Sequence, residues 1–385
     1  MSDKNLLVLE NSADCLLSLL SGSSKTNYIG EAVSQLEHSI QAAFFSQENR
    51  HGVIVELAAL FHDIGHFCNT IDEPEMDGLG IVNHEWIGAR IVLERGLSMQ
   101  IACLIGEHVN AKRYLSGKTS RYFNNLSPAS RATLDFQGGP MSHSEIKNFE
   151  SKADFKKILQ VRINDEKGKV LNLKIPTLNS YRQKIIQSMQ SFPHKTSTIK
   201  TIYFIRHAQA TGQAPDAALT KQGLDHSHSL VHYFKDKNIQ VILSSPYLRA
   251  MTTVEPIAHS KQLPIIPDYR LREFHPCADA NDVHYETYQQ KSFNNDRFVK
   301  TGGMSFKEVK AYVYDVLTSF EGSMLNKYIM VTHGRWLSAL MKVINPDITY
   351  QEATSLTHPS VIKLNYDSSN QKYILKMDNF MEFEL

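Results

Sequence analysis

The spacing of apolar positions changes near the middle of the chain. Before residue 190 apolar residues recur at helical intervals. Val33, Leu36, Ile40 and Phe44 mark one such face over 31–45, and similar patterns run through 5–20, 52–62, 84–95, 98–109, 151–164 and 177–190. Strand-like alternation is nearly absent there, so the first half reads as all-α. The polar stretch 191–199, which contains Pro193, reads as a linker. Beyond it, short continuous apolar runs at 201–205, 241–244 and 328–331 alternate with helical patterns over 220–235, 248–260, 305–319 and 335–344. That alternation predicts a parallel α/β sheet, and 361–364 with 373–375 could add an antiparallel edge hairpin. The expected organisation is two domains, 1–190 and 200–385, joined by the linker 191–199; a chain of 385 residues is long enough for each to bury its own core.

Composition narrows the function classes. Lys+Arg is 41 and Asp+Glu is 40, a net charge of +1. Nothing in this balance suggests a nucleic-acid or membrane-surface partner, so any anion site must be local. Cys15, Cys68, Cys103 and Cys277 match no zinc or redox spacing, and reduced thiols in a cytoplasmic protein are the simplest account. There is no signal-peptide pattern at Met1–Lys4 and no apolar run of membrane-spanning length. Small-molecule substrates are the expected partners; oligomeric state is not readable.

The chemistry of the first half centres on Leu60-Phe61-His62-Asp63-Ile64-Gly65-His66, at the end of an apolar helix. Adjacent His and Asp at a buried helix end are costly without partners, and a metal ion supplies them: imidazole nitrogen and carboxylate oxygen suit Fe, Mn or Zn. His38, His66, His84, His108 and Asp165, each on or at the end of a predicted helix, are further candidates. Asp63 has two oxygens and can bridge two metals, with His38, His62 and Asp165 on one and His84 and His108 on the other. A lone helical histidine is more often structural; the ordered set is more specific.

That order resembles the HD-domain superfamily and, more narrowly, the HD-domain mixed-valent diiron oxygenases of the PhnZ type, which cleave the carbon–phosphorus bond of 2-amino-1-hydroxyethylphosphonate. The narrower resemblance rests on Tyr28-Ile29-Gly30-Glu31 before His38, on His108-Val109-Asn110-Ala111-Lys112, and on the stretch Ser130 to Pro140, which is similar to the family's substrate loop. It covers about residues 25–190. It implies two iron ions, Fe(II) and Fe(III), with O2 as cosubstrate. His38, His62, Asp63 and Asp165 would hold one iron and Asp63, His84 and His108 the other. Tyr28 would fill the open position of the second iron when substrate is absent. Glu31 would face the substrate, His66 would stand behind the ligands or touch the substrate, and Lys112, Arg162, Ser130, Thr133 and Gln137 would hold the phosphonate. The residue types agree independently, because a dianion needs Arg, Lys and hydroxyl donors. The competing class is hydrolytic: many HD-domain proteins are metal-dependent phosphohydrolases, here with the second half as a regulatory phosphate-binding module.

In the second half, Arg206-His207-Ala208, Ser244 to Ala250 and Thr332-His333-Gly334 each follow a predicted strand, and Leu271-Arg272-Glu273-Phe274 supplies an acid. Ligands of open α/β sheets bind beyond the carboxyl ends of strands, so these groups can converge. The set resembles the histidine phosphatase superfamily, with its phosphoglycerate mutase-like fold, over about residues 200–385. The resemblance implies His207 as nucleophile, Arg206, Arg249 and His333 on the phosphoryl oxygens, and Glu273 as proton donor to the leaving alcohol, with no cofactor. Ala208 replaces a commoner glycine, and Gln213 stands where many members place a phosphate-contacting asparagine. The short domain favours a phosphatase over a mutase. The whole is thus expected to be an all-α HD-domain fold followed by an α/β three-layer histidine phosphatase fold.

Overall fold

The structure is a computed structural model and describes residues 3–22, 33–68, 74–191 and 197–378. These fall into two compact units, Met1–Lys195 and Thr196–Leu385. No helix among the described residues is long and apolar enough to cross a membrane.

The first unit is helical: α1 (Asp3–Gly22), α2 (Gln35–Glu48), α3 (Val53–Phe61), α4 (His84–Glu94), α5 (Met99–Gly106), α6 (His108–Lys118), α7 (Ser120–Asn125), α8 (Pro128–Phe136), α9 (His143–Glu150), α10 (Phe155–Lys167) and α11 (Arg182–Gln190). Helix α3 is apolar at every position but Glu56 and fully enclosed from Leu57 to Phe61, as expected of a core helix. Helices α2, α5, α10 and α11 pack on it. Its one acid, Glu56, is buried and takes a 2.5 Å ion pair from Lys184 of α11. The start of α2 is set by a capping box between Ser34 and Glu37, a device that contributes about 1 kcal/mol and fixes the turn carrying His38.

Two expectations need correction here. The stretch 177–190 is a 3-10 turn, Leu178–Tyr181, followed by α11. The supposed loop from Ser130 is mostly helix α8, started by Ser127 as N-cap with Pro128 in the first turn.

The second unit contains one six-stranded sheet, formed by β1 (Ile199–Arg206), β2 (Val241–Ser244), β3 (Ile265–Pro267), β4 (Lys327–Thr332), β5 (Ser360–Asp367) and β6 (Lys372–Asp378). Its order is β3-β2-β4-β1-β5-β6. The first four strands run parallel, and β5 and β6 form the antiparallel edge anticipated from the sequence. Helices α12 (Lys221–Phe234) and α13 (Leu248–Lys261) bury Leu230, Phe234, Val254 and Ile257 against Tyr203 and Ile205 of β1. The remaining helices are α14 (Tyr285–Asn294), α15 (Phe306–Gly322), α16 (Gly334–Ile344) and α17 (Tyr350–Thr354). Trp336 of α16 packs on Phe204, whose side chain points to the opposite face of β1 from its neighbours. Strand β1 is therefore buried on both faces, which explains its unbroken apolar run.

Candidate functional sites

Four histidines of the first unit arrive from four helix ends, three of them with the same local geometry. His62 follows α3, and His84 and His108 open α4 and α6. Each donates Nδ1–H to the carbonyl three residues earlier: His62 to Ala59 at 2.8 Å, His84 to Ile81 at 3.2 Å and His108 to Ile105 at 2.8 Å. His38 donates to Gly168 at 2.9 Å, across 130 residues of sequence. These bonds fix the tautomer and turn every Nε2 lone pair inward. The Nε2 atoms of His38 and His62 are 3.1 Å apart, and those of His84 and His108 are 3.4 Å apart.

Asp63 stands between the pairs. Its Oδ2 lies 3.3 Å from His62 Nε2 and 3.7 Å from His38 Nε2, while its Oδ1 lies 3.4 Å from His84 and 3.7 Å from His108. Asp165 completes the first group, with Oδ1 3.2 Å from His38 Nε2 and 3.6 Å from His62 Nε2. The donors form two buried trios, His38–His62–Asp165 and Asp63–His84–His108, each with its atoms within 4.8 Å of one another. The donors themselves test whether a metal belongs here. In each pair two Nε2 atoms crowd one another with both Nδ1–H groups committed to carbonyls, and Asp165 Oδ1 is buried without a hydrogen-bond partner. A first-row transition ion in each trio resolves both problems. Burial alone would raise the Asp63 carboxyl, but His62 and His84 override it and hold it well below the ordinary range. Asp165 is likewise held down, against burial, by Arg162 and His62.

Two glycines let these elements approach. A Cβ on Gly65 would sit 1.9 Å from the His84 carbonyl oxygen, so only glycine lets the turn after Asp63 lie against the start of α4. A Cβ on Gly168 would come within 3.0 Å of His38 Nδ1.

A cavity of about 60 Å³ opens beside the trios, lined by Asp63, His66, His84, His108, Lys112, Ser130, Thr133, Gln137, Arg162 and Asp165 among others. Lys112, buried on α6, donates to Thr133 Oγ1 at 2.9 Å, and burial lowers its pKa to about 7. Gln137 Oε1 is buried without a partner. His66 stacks on His84 with ring centroids 3.9 Å apart. Its Nδ1 accepts from the Ile81 amide at 3.1 Å, and burial lowers its pKa to about 3; the neutral ring therefore carries its proton on Nε2. Arg162 differs from the plain anion-binder expected of it. It pairs with Asp165 Oδ2 and with Glu166, and its Nε donates to Tyr122 OH at 2.8 Å. Tyr28 and Glu31 lie outside the described residues. Gln35, which sequence reasoning passed over, also lines the cavity, three residues before His38 on the same helix.

In the second unit the ends of β1, β2 and β4 bring the expected groups together. The His207 amide donates to Thr332 O at 3.1 Å and that of Ser245 to Val331 O at 2.9 Å, extending the parallel pairing past the strand ends. His207 Nδ1–H donates to Ala208 O at 2.7 Å, leaving Nε2 as acceptor from Arg249 Nε at 3.2 Å. Arg249 Nη2 also reaches His333 Nδ1 at 3.3 Å, and His333 Nε2 meets Ser245 Oγ at 2.8 Å. Burial lowers the His207 pKa to about 3, helped by Arg249, His358 and Arg206. His207 is thus a neutral imidazole with its Nε2 lone pair toward the pocket. Burial raises Glu273 above the ordinary carboxyl range, against the pull of Arg249 and Arg206. A pocket of about 380 Å³ is lined by Arg206, His207, Gln213, Glu273, Arg335 and His358 with others. Gln213 reaches it with an exposed side chain, and its carbonyl accepts from Arg249 Nη1 at 3.1 Å. His358 was missed from sequence; its Nδ1 donates to His207 O at 3.0 Å. Arg335, two residues after His333, was missed as well.

Comparison with known proteins agrees with this geometry. Residues 36–132 match the HD domain family, and residues 202–379 match the histidine phosphatase superfamily (branch 1). An uncharacterised protein of Acanthamoeba polyphaga mimivirus is 39% identical over 186 residues, covering 48% of this chain and 85% of that protein. The [1-hydroxy-2-(trimethylamino)ethyl]phosphonate dioxygenase (glycine-betaine-forming) of Leisingera caerulea is 40% identical over 149 residues, 39% of this chain and 76% of that enzyme. The hydroxymethylphosphonate dioxygenase of Gimesia maris is 34% identical over 170 residues, 41% of this chain and 79% of that enzyme. The chain therefore belongs, over its N-terminal region, to the HD-domain family that includes these phosphonate dioxygenases, and it continues into a domain of the histidine phosphatase superfamily.

Proposed function

We propose that the chain is a bifunctional enzyme. Its first unit cleaves the C–P bond of a 1-hydroxyphosphonate with O2, and its second hydrolyses a phosphomonoester through a phosphohistidine. The observation that carries the first assignment is the division of the Asp63 oxygens between two trios beside a cavity lined by Lys112, Ser130, Thr133 and Gln137. Both characterised relatives carry names that place a hydroxyl on the carbon bonded to phosphorus, and they differ in the substituent. Their shared part is the substrate class proposed here; 2-amino-1-hydroxyethylphosphonate is a candidate member.

His38, His62, Asp63 and Asp165 would hold one iron and Asp63, His84 and His108 the other. A mixed-valent Fe(II)/Fe(III) pair held there would supply the one-electron and O2 chemistry. The chain's own residues bind and orient. Lys112 presents its ammonium, with the Thr133 and Ser130 hydroxyls and the Gln137 amide, to the phosphonate oxygens. Arg162, clamped by Glu166 and Tyr122, holds Asp165 Oδ2 so that Oδ1 faces His38 and His62. His66 offers Nε2–H to the cavity. The balance needs no added reductant: hydroxyphosphonate plus O2 gives carboxylate plus phosphate. The test is whether phosphate release stops when O2 is excluded.

In the second unit, the His207 Nε2 lone pair attacks phosphorus while Arg206, Arg249 and His333 hold the phosphoryl oxygens. The P–O bond to the alcohol breaks, and the Glu273 proton passes to the leaving oxygen. Water then attacks the phosphohistidine, returns a proton to Glu273 and frees phosphate. Glu273→Gln is expected to slow hydrolysis of an alkyl phosphate by about 10²–10⁴-fold. It should slow p-nitrophenyl phosphate, whose leaving group needs no proton, by less than about 10-fold. Equal losses of kcat/KM, which reads only the steps up to release of the alcohol, on both esters would remove Glu273 as the acid.

A further inference from the structure

We propose that Arg335 forms a second oxyanion subsite in the phosphatase pocket, so that the substrate is a phosphomonoester with another anionic group, carboxylate or phosphonate, on its alcohol portion. This rests on the phosphatase reading and names its substrate class.

Arg335 sits in the first turn of α16, directly after Gly334. A Cβ on Gly334 would lie 3.1 Å from Arg206 Nη2, so the helix start and the Arg206 guanidinium are in close approach. Both arginines line the same pocket, and each has a buried guanidinium nitrogen without a hydrogen-bond partner. Arg335 is 5% exposed. Its Nη2 donates to Ser292 Oγ at 2.8 Å and to Met304 O at 2.9 Å, two neutral acceptors. Its Nη1 is buried with no hydrogen-bond partner. Among the described residues no carboxylate forms an ion pair with it, whereas the buried Arg270 has Asp268 and Asp315, and Arg162 has Asp165 and Glu166.

A buried guanidinium without a counter-ion is costly, and the cost is recovered when an anion arrives with the substrate. A purely structural arginine at this position would have its remaining donors capped by the fold. The acids near it do not serve. Glu273 must carry a proton to act as the acid, Glu308 accepts from the Ser305 amide at 2.7 Å and its hydroxyl at 2.5 Å in the cap of α15, and Glu286, at the exposed rim, accepts from Tyr350 OH at 2.7 Å. The volume of about 380 Å³ exceeds what one phosphoryl group fills. The positive end of α16 adds to the same field.

The experiment uses the whole chain, under nitrogen so that the first unit releases no phosphate. Three esters are compared by kcat/KM: ethyl phosphate, phosphoglycolate, which adds a carboxylate, and phosphonomethyl phosphate, which adds a phosphonate. At least one anionic ester is expected to exceed ethyl phosphate by roughly 10- to 100-fold, the effect of one charged hydrogen-bonded contact. The faster anionic ester identifies the anion. In Arg335→Gln the ratio should fall to within about 3-fold of one, and Arg335→Lys should retain part of it. Melting temperatures are read alongside, and if the glutamine variant does not fold the lysine variant decides. A wild-type ratio near one, or a ratio unchanged in a folded variant, overturns the subsite. Failure of the wild type on all three esters would instead overturn the phosphatase reading.

Discussion

Asp63→Ala is expected to empty both metal positions. Every other donor belongs to one trio, but Asp63 directs Oδ2 at His62 and His38 and Oδ1 at His84 and His108. Its removal leaves His84 and His108 as a bare pair of imidazoles, and it deprives the other site of the oxygen shared between them. Two neutral donors make a poor site for a divalent ion in competition with water. Iron should fall from about two per chain to under about 0.5, whereas His84→Ala should spare much of the His38–His62–Asp165 position. Metal analysis of the purified variants, with circular dichroism to establish folding, checks this. A folded Asp63→Ala protein that keeps both irons would refute the shared-carboxylate arrangement.

The second large effect separates the halves. His207→Ala is expected to lower phosphomonoester hydrolysis by at least about 10⁴-fold, the scale seen when a covalent nucleophile is removed. It removes the Nε2 that Arg249 orients at 3.2 Å, and no other imidazole replaces it. His333 is engaged by both Arg249 and Ser245, and His358 is held by the His207 carbonyl. Iron content and O2-dependent phosphate release should stay at wild-type values, because every residue of the dinuclear site lies in the other unit. Phosphate assays on an alkyl ester and on a hydroxyphosphonate, run on the same preparation, read both. If ester hydrolysis instead disappeared in His62→Ala and survived in His207→Ala, hydrolysis would belong to the HD half.

How legible these sites were in the sequence depended on whether the signal was local. The His62-Asp63 pair announced itself because an apolar helix ran straight into two groups that cannot be buried alone. The parallel sheet was readable because β1, β2 and β4 are buried on both faces and so carry unbroken apolar runs. The three-residue β3 is too short for any pattern. Helix α8 carried a start signal, Ser127-Pro128, that was passed over in favour of a loop. What no local pattern could show is tertiary. The tautomer of His38 is set by Gly168, far along the chain. The clamp on Arg162 needs Tyr122 from another helix. Arg335 and His358 are single residues with no motif spacing, and only the folded pocket reveals them.

Oxygenase and hydrolase chemistry in the HD half differ in their need for O2. The most direct measurement is the ratio of O2 consumed to phosphate released from a 1-hydroxyphosphonate such as 2-amino-1-hydroxyethylphosphonate. An oxygen electrode and a phosphate assay would follow iron-loaded His207→Ala protein, in which the phosphatase is silent. About one O2 per phosphate is expected, since that is the balance of C–P cleavage to a carboxylate without added reductant, and no phosphate under nitrogen. Phosphate released at the same rate without O2 would contradict it, and so would hydrolysis of a phosphate ester by this variant with no phosphate from the hydroxyphosphonate, the behaviour of a metal-dependent phosphohydrolase.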